Sequence, residues 1–121
     1  MIRFYVLIIF LVAGCTGDTR GEIKNNKKLS FSSSKNASEV SGCMLDKLDF
    51  LMPEKVITNN LVGGDGMEIY IGAIQFSRMK YFHRIEVEKK ENQSLVSYQR
   101  SETEFPPISE GEVLKIIQSC K

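Results

Sequence analysis

The apolar positions fall into three regimes along the chain. Phe4 to Val12 is an unbroken apolar run of nine residues. Thr16 to Ala37 is polar, with Ile23, Leu29 and Phe31 as its only large apolar side chains. From Ser38 onward the apolar residues become periodic. Val40, Cys43, Met44, Leu48 and Leu51 recur at helical spacing and predict a helix over Ser38 to Met52. Ser38 is its N-cap, Glu39 faces the dipole in the first turn, and Pro53 stops it. Lys55 to Val62 predicts a short strand. Gly63, Gly64 and Gly66 around Asp65 then predict a tight turn with residues at positive φ.

Met67 to Ser77 is the strongest strand signal. Met67, Ile69, Ile71 and Ala73 share one face, and Tyr70, Ile74 and Phe76 share the other. Apolar content on both faces marks a central strand, or one whose second face a partner covers. Tyr81 to Lys89 alternates Tyr81, His83, Ile85 and Val87 against Phe82, Arg84, Glu86 and Glu88, the pattern of a half-buried antiparallel strand. Leu95 to Arg100 is a last strand. Ser109-Glu110-Gly111-Glu112 matches a capping box, and Val113, Ile116, Ile117 and Cys120 follow as a short amphipathic helix.

The predicted order is an N-terminal helix, three or four antiparallel strands and a C-terminal helix, an α+β domain over Ser38 to Lys121. Both helices must hide their apolar stripes, and one sheet face offers that place. Ile85, Val87, Val96 and Tyr98 are the expected covered side. Phe82 and Arg84 lie on the opposite side, and Tyr70 and Phe76 join them if the central strand pairs in the matching register. Aromatics and Arg are enriched where interfaces concentrate energy, so these four form the expected partner-binding face. The competing reading sends Tyr70 and Phe76 into the core, because one sequence leaves the register open.

The first apolar run has its own meaning. Arg3 precedes it, Ala13 and Gly14 close it, and Cys15 follows at once. A charged start, a short apolar core and a small-residue exit describe a secretory signal over residues 1–14, too short to span a membrane as a mature helix. The ending Val12-Ala13-Gly14-Cys15 resembles the lipobox of bacterial lipoproteins. That resemblance implies cleavage before Cys15 and acylation of its thiol and new amino group. The membrane, reached through this N-terminal lipid, is then the first partner. Thr16 follows Cys15 where an Asp would resemble an enteric inner-membrane retention signal, which favours the outer membrane.

Composition narrows the remainder. The 121 residues lose 14 with the leader, leaving 107, room for one small domain and a tail. Arg3 leaves too, so the 16 basic residues become 15, equal to the 15 acidic ones. A neutral mature chain gives no reason to expect nucleic acid as a partner. The polar stretch through Ala37 holds Arg20, Lys24, Lys27, Lys28 and Lys35 against Asp18 and Glu22, and basic groups beside an anionic leaflet add weak attraction. Its low apolar content predicts a disordered tether over residues 15–37, on the order of 25 Å long as a coil. A strand around Leu29 and Phe31 is the rarer alternative. With Cys15 acylated, Cys43 and Cys120 remain as an even pair in an oxidising compartment, which predicts a disulfide between the first helix and the last.

Candidate chemistry is thin. His83 is the single histidine, and it alternates with Ile85 and Val87 as an edge-of-core residue does. A Cys–His nucleophile needs a free thiol, and there is no Gly-x-Ser-x-Gly elbow for a serine. No cluster has metal-ligand spacing, so no metal or other cofactor is expected. The glycines around Asp65 lead into a strand bearing Glu68 and not into a helix N-terminus, which argues against phosphate binding. The expectation is therefore a membrane-tethered, periplasm-facing, non-catalytic module that binds another envelope protein, as accessory subunit or as inhibitor or immunity protein. A structural spacer is the alternative, and a cell-wall hydrolase using His83 is a third.

Overall fold

Asn36, two residues ahead of the expected cap, opens the first long helix. Its Oδ1 accepts from the Glu39 amide at 2.9 Å, and its Nδ2 donates to the Glu39 carboxylate at 2.8 Å. Asn caps at least as well as Ser, and Ala37 then enters the helix as a strong helix former. The computed structural model describes residues 17–51, 55–102, 106 and 108–121. The leader, Cys15 and the helix stop expected at Met52 and Pro53 lie outside the described residues.

The described chain runs α1 (Arg20–Lys24), β1 (Leu29–Ser33), α2 (Ala37–Lys47), β2 (Val56–Asn60), β3 (Gly66–Gln75), β4 (Arg78–Lys90), β5 (Gln93–Arg100) and α3 (Glu110–Cys120). The fold is α+β, and its antiparallel sheet has five strands in the order β1-β5-β4-β3-β2. The expectation of three or four strands between two terminal helices is corrected here. The extra strand is β1, and an extra helix, α1, precedes it, both in the stretch expected as a disordered tether. Leu29 and Phe31 alternate with serines, and they stand opposite Tyr98 and Val96 on β5. Three apolar residues are too few to make a core but enough to join one that exists.

α2 and α3 cover one face. Val40, Met44 and Leu48 meet Val113 and Ile117 over Ile69, Ile85, Val87 and Val96, all essentially without solvent contact. The face expected to be covered is thus the covered one. Cys43 and Cys120 are bonded, with Cα atoms 5.7 Å apart, and tie α2 to α3. Gly63, Gly64 and Gly66 all take positive φ, as expected of the turn before β3.

Midway along the β3–β4 pair the register shifts. Ile71 faces His83 and Gly72 faces Tyr81, so Phe82 is the extra residue of a bulge. A Cβ on Gly72 would run into the Lys80 carbonyl, so only glycine fits there. The bulge turns β4 over. His83 stacks on Tyr98 on the helical side, whereas Tyr81 packs with Tyr70 and Ile23 on the other. Strict alternation had placed Tyr81 and His83 together.

Candidate functional site

The second sheet face is covered around Tyr70, Tyr81 and Gln99, and this cover decides the exposure of the expected binding residues. Gly17 and Asp18 extend the sheet where β5 ends: Asp18 exchanges backbone hydrogen bonds with Tyr81 at 2.7 and 2.8 Å. Gly17 passes so close to β4 that a side chain there would meet the Tyr81 carbonyl at 2.8 Å. Thr19 then caps α1 with a complete capping box, its hydroxyl accepting from the Glu22 amide and Glu22 accepting from the Thr19 amide. That Thr-x-x-Glu signature stood in the sequence and was the available sign of structure. Ile23 is fully buried between Tyr70 and Tyr81, and the Arg20 guanidinium lies over both rings at 5.1 and 5.4 Å.

Under α1 sits a charged cluster centred on Arg84. Its Nε and Nη2 donate to Glu68 at 2.9 and 2.7 Å, Nη2 also pairs with Glu86, and Nη1 donates to Gln99 at 2.9 Å. Gln99 turns its amide nitrogen to the Lys24 and Asn26 carbonyls, at 2.8 and 2.9 Å, and so holds the C-terminal end of α1. Tyr70 donates its hydroxyl to Glu68 at 2.8 Å. Burial alone would raise the Glu68 pKa, but the bonds from Arg84 and Tyr70 outweigh it and hold the carboxyl below its usual range. Burial alone would likewise lower that of Arg84, and the carboxylates keep it raised. Among the described residues, every buried side-chain nitrogen and oxygen has a partner. This polar network joins the sheet to its cover.

Tyr70, Phe82 and Arg84 are therefore buried, at 0, 2 and 5% exposure, and present almost no surface of their own. Tyr70 does stand opposite Arg84, so the matching register is the one formed. What the expectation lacked was the cover. Phe76 alone of the four is exposed, and it sits elsewhere, at the β3–β4 turn.

That turn is unusual in its residues. Phe76 and Ser77 both take positive φ, 50° and 62°, in a two-residue hairpin loop. Such loops favour Asn-Gly because other side chains cost about 1–3 kcal/mol in this region. Ile74 and Phe76 are 70 and 74% exposed on this tip. A second apolar spot lies on the helical layer. Phe50, 67% exposed after α2, lines a shallow depression with Ile116, rimmed by Lys47, Glu112, Lys115 and Ser119.

His83 is locked inside. Nε2 lies 2.7 Å from the Ile108 carbonyl, which can only accept, so the proton is on Nε2. Nδ1, 2.6 Å from the Tyr98 hydroxyl, accepts from it. Burial holds the imidazole below its ordinary pKa and pushes the Tyr98 hydroxyl well above its own. The groove next to this pair is lined by Leu29, Tyr98, Arg100 and Glu110, the last two ion-paired at 2.6 Å, and His83 does not reach it. Among the described residues no three His, Cys, Asp or Glu side chains converge to hold a metal. No helix among them is long and apolar enough to cross a membrane.

The fold and its chemistry define a small disulfide-stapled α+β domain with an N-terminal cover. The chain matches no protein-family model, and neither curated proteins nor solved structures give a significant likeness.

Proposed function

We propose that the chain is a lipid-anchored protein of the bacterial cell envelope, periplasm-facing and held at the outer membrane. It acts without catalysis as a protein-binding module, an accessory subunit or an inhibitor of the immunity type. The anchor reading rests on Val12 to Cys15 and on Thr16 after them. The non-catalytic reading is supported by His83, whose two ring nitrogens both serve Tyr98 and Ile108, leaving no lone pair for a substrate.

Phe50 is the observation that carries the binding reading. An exposed aromatic ring beside an aliphatic residue, inside a polar rim, has the layout of an interface, where aromatics are enriched at the centre and the rim is polar. It stands against two helices tied by Cys43–Cys120, so its surroundings are rigid before a partner arrives. A photo-crosslinking side chain in place of Phe50 should yield one discrete protein adduct in intact envelopes. Phe50→Ala should lose co-purification of that protein severalfold with the melting temperature almost unchanged. No adduct, together with unaltered co-purification and phenotype in Phe50→Ala, would instead make the domain a spacer.

A further inference from the structure

The geometry points to a second membrane contact at the tip of the β3–β4 hairpin, beside the lipid anchor. The inference rests on Cys15 being the acylated residue.

Position comes first. The Gly17 amide donates to the Gln75 side chain at 2.9 Å, and Asp18 pairs with Tyr81, so the N-terminal segment lies against the hairpin. Thr16 alone separates Gly17 from Cys15. Two residues reach ~7 Å when fully extended. Acyl chains on Cys15 are thereby leashed to the end of the sheet that carries Ile74 and Phe76. The residues from Gly17 to Ala37, expected as part of a long tether, are instead built into the domain.

Composition agrees with position. Ile74 and Phe76 are the exposed apolar groups of the tip, and no acidic residue occurs from Ile69 to Lys80. Arg78 and Lys80 supply the charge, with Asp18 and Glu22 near Lys80 at the base of the hairpin. Apolar side chains flanked by basic ones settle at the boundary of headgroups and acyl chains in an anionic leaflet. The backbone adds a third observation. Positive φ at Phe76 and Ser77 keeps a phenyl ring at the outermost point of a tight turn that Asn-Gly would close with less strain. A protein partner is the other possible occupant, but the leash places lipid at this end of the domain. Two contacts in place of one fix which way the domain faces, so that Phe50 is presented in a constant orientation.

The chain has no tryptophan, so Phe76→Trp introduces a single reporter. Val62→Trp does the same at the opposite end of the sheet, where Val62 is almost fully exposed. Full chains carrying each change are exported, purified and reconstituted into vesicles of phosphatidylethanolamine and phosphatidylglycerol with brominated acyl chains. Palmitate labelling scores acylation, and thermal melting scores folding. Phe76→Trp should emit at shorter wavelength and be quenched severalfold more strongly than Val62→Trp. Ile74→Trp should report the same if Phe76→Trp melts early. An acylated, folded chain whose tip reporters are quenched no more than Val62→Trp overturns the contact and leaves the anchor standing. A chain that is never acylated overturns both. A tip reporter shielded in native envelopes but not in pure lipid vesicles overturns the contact in favour of a protein.

Discussion

His83 connects two parts of the core that share no strand pairing. Its Nε2 donates to the Ile108 carbonyl, just ahead of α3, and its Nδ1 accepts a hydrogen bond from the Tyr98 hydroxyl on β5. Only the neutral imidazole can do both. Burial lowers its folded pKa below 6.5, so the unfolded chain binds a proton that the folded chain resists. Stability from this group is complete above pH 6.5 and is lost as the pH falls toward the folded value. Glu68 adds a second loss of the same sign further down. Its folded pKa lies below 4.5, and its contribution is present above that value and fades as the pH drops through the folded one. The melting temperature should therefore begin to fall just below pH 6.5 and fall again below pH 4.5. A melting temperature that is level from pH 6.5 to 5 would contradict the buried neutral His83.

At the scale of elements, the staple and the cover do different jobs. Cys43–Cys120 closes 77 residues of chain. In the chain-entropy model this removes about 4–5 kcal/mol from the unfolded state. Cys43→Ser, or reduction, should lower the melting temperature by roughly 15 °C or more, read by calorimetry. A shift of a degree or two would show that α2 and α3 hold without it. This bridge was legible in the sequence, because reading Cys15 as an acylated residue of an exported chain leaves two thiols and an oxidising compartment to pair them. α2, α3 and the face bearing Ile85, Val87, Val96 and Tyr98 were legible too, since each element carries its own period. β1 was legible only as the rarer alternative and α1 only through the Thr19-x-x-Glu22 cap, and the reason is physical. Ile23, Leu29 and Phe31 are too sparse to form a period, and they fold only because the sheet already offers Tyr70, Tyr81, Val96 and Tyr98 as partners. The bulge at Phe82 was hidden for a related reason. Alternation counts residues and is blind to a one-residue slip, which is what turned Tyr81 to the far side. The burial of Tyr70 and Arg84 then follows from the cover that the stretch expected as a tether provides.

For the whole molecule, that change of assignment alters how the domain meets its surroundings. A disordered linker would let the domain tumble tens of ångströms from the bilayer. In the proposed arrangement, a segment docked from Gly17 would bring it to the surface, with the hairpin tip beside the anchor and the helical layer carrying Phe50 free for a partner. Everything in this arrangement depends on the N-terminal segment being part of the fold. Hydrogen exchange on the anchored full chain measures that directly. The amides of Asp18, Ile23 and Asn25, bonded to Tyr81, Thr19 and Glu22, should be protected well beyond an unstructured chain. Asp18 should exchange slowest of the three, because its bond belongs to the sheet. Exchange of all three at the rate of an unfolded peptide, while the Val87 and Val96 amides remain protected, would contradict the account and restore a flexible tether.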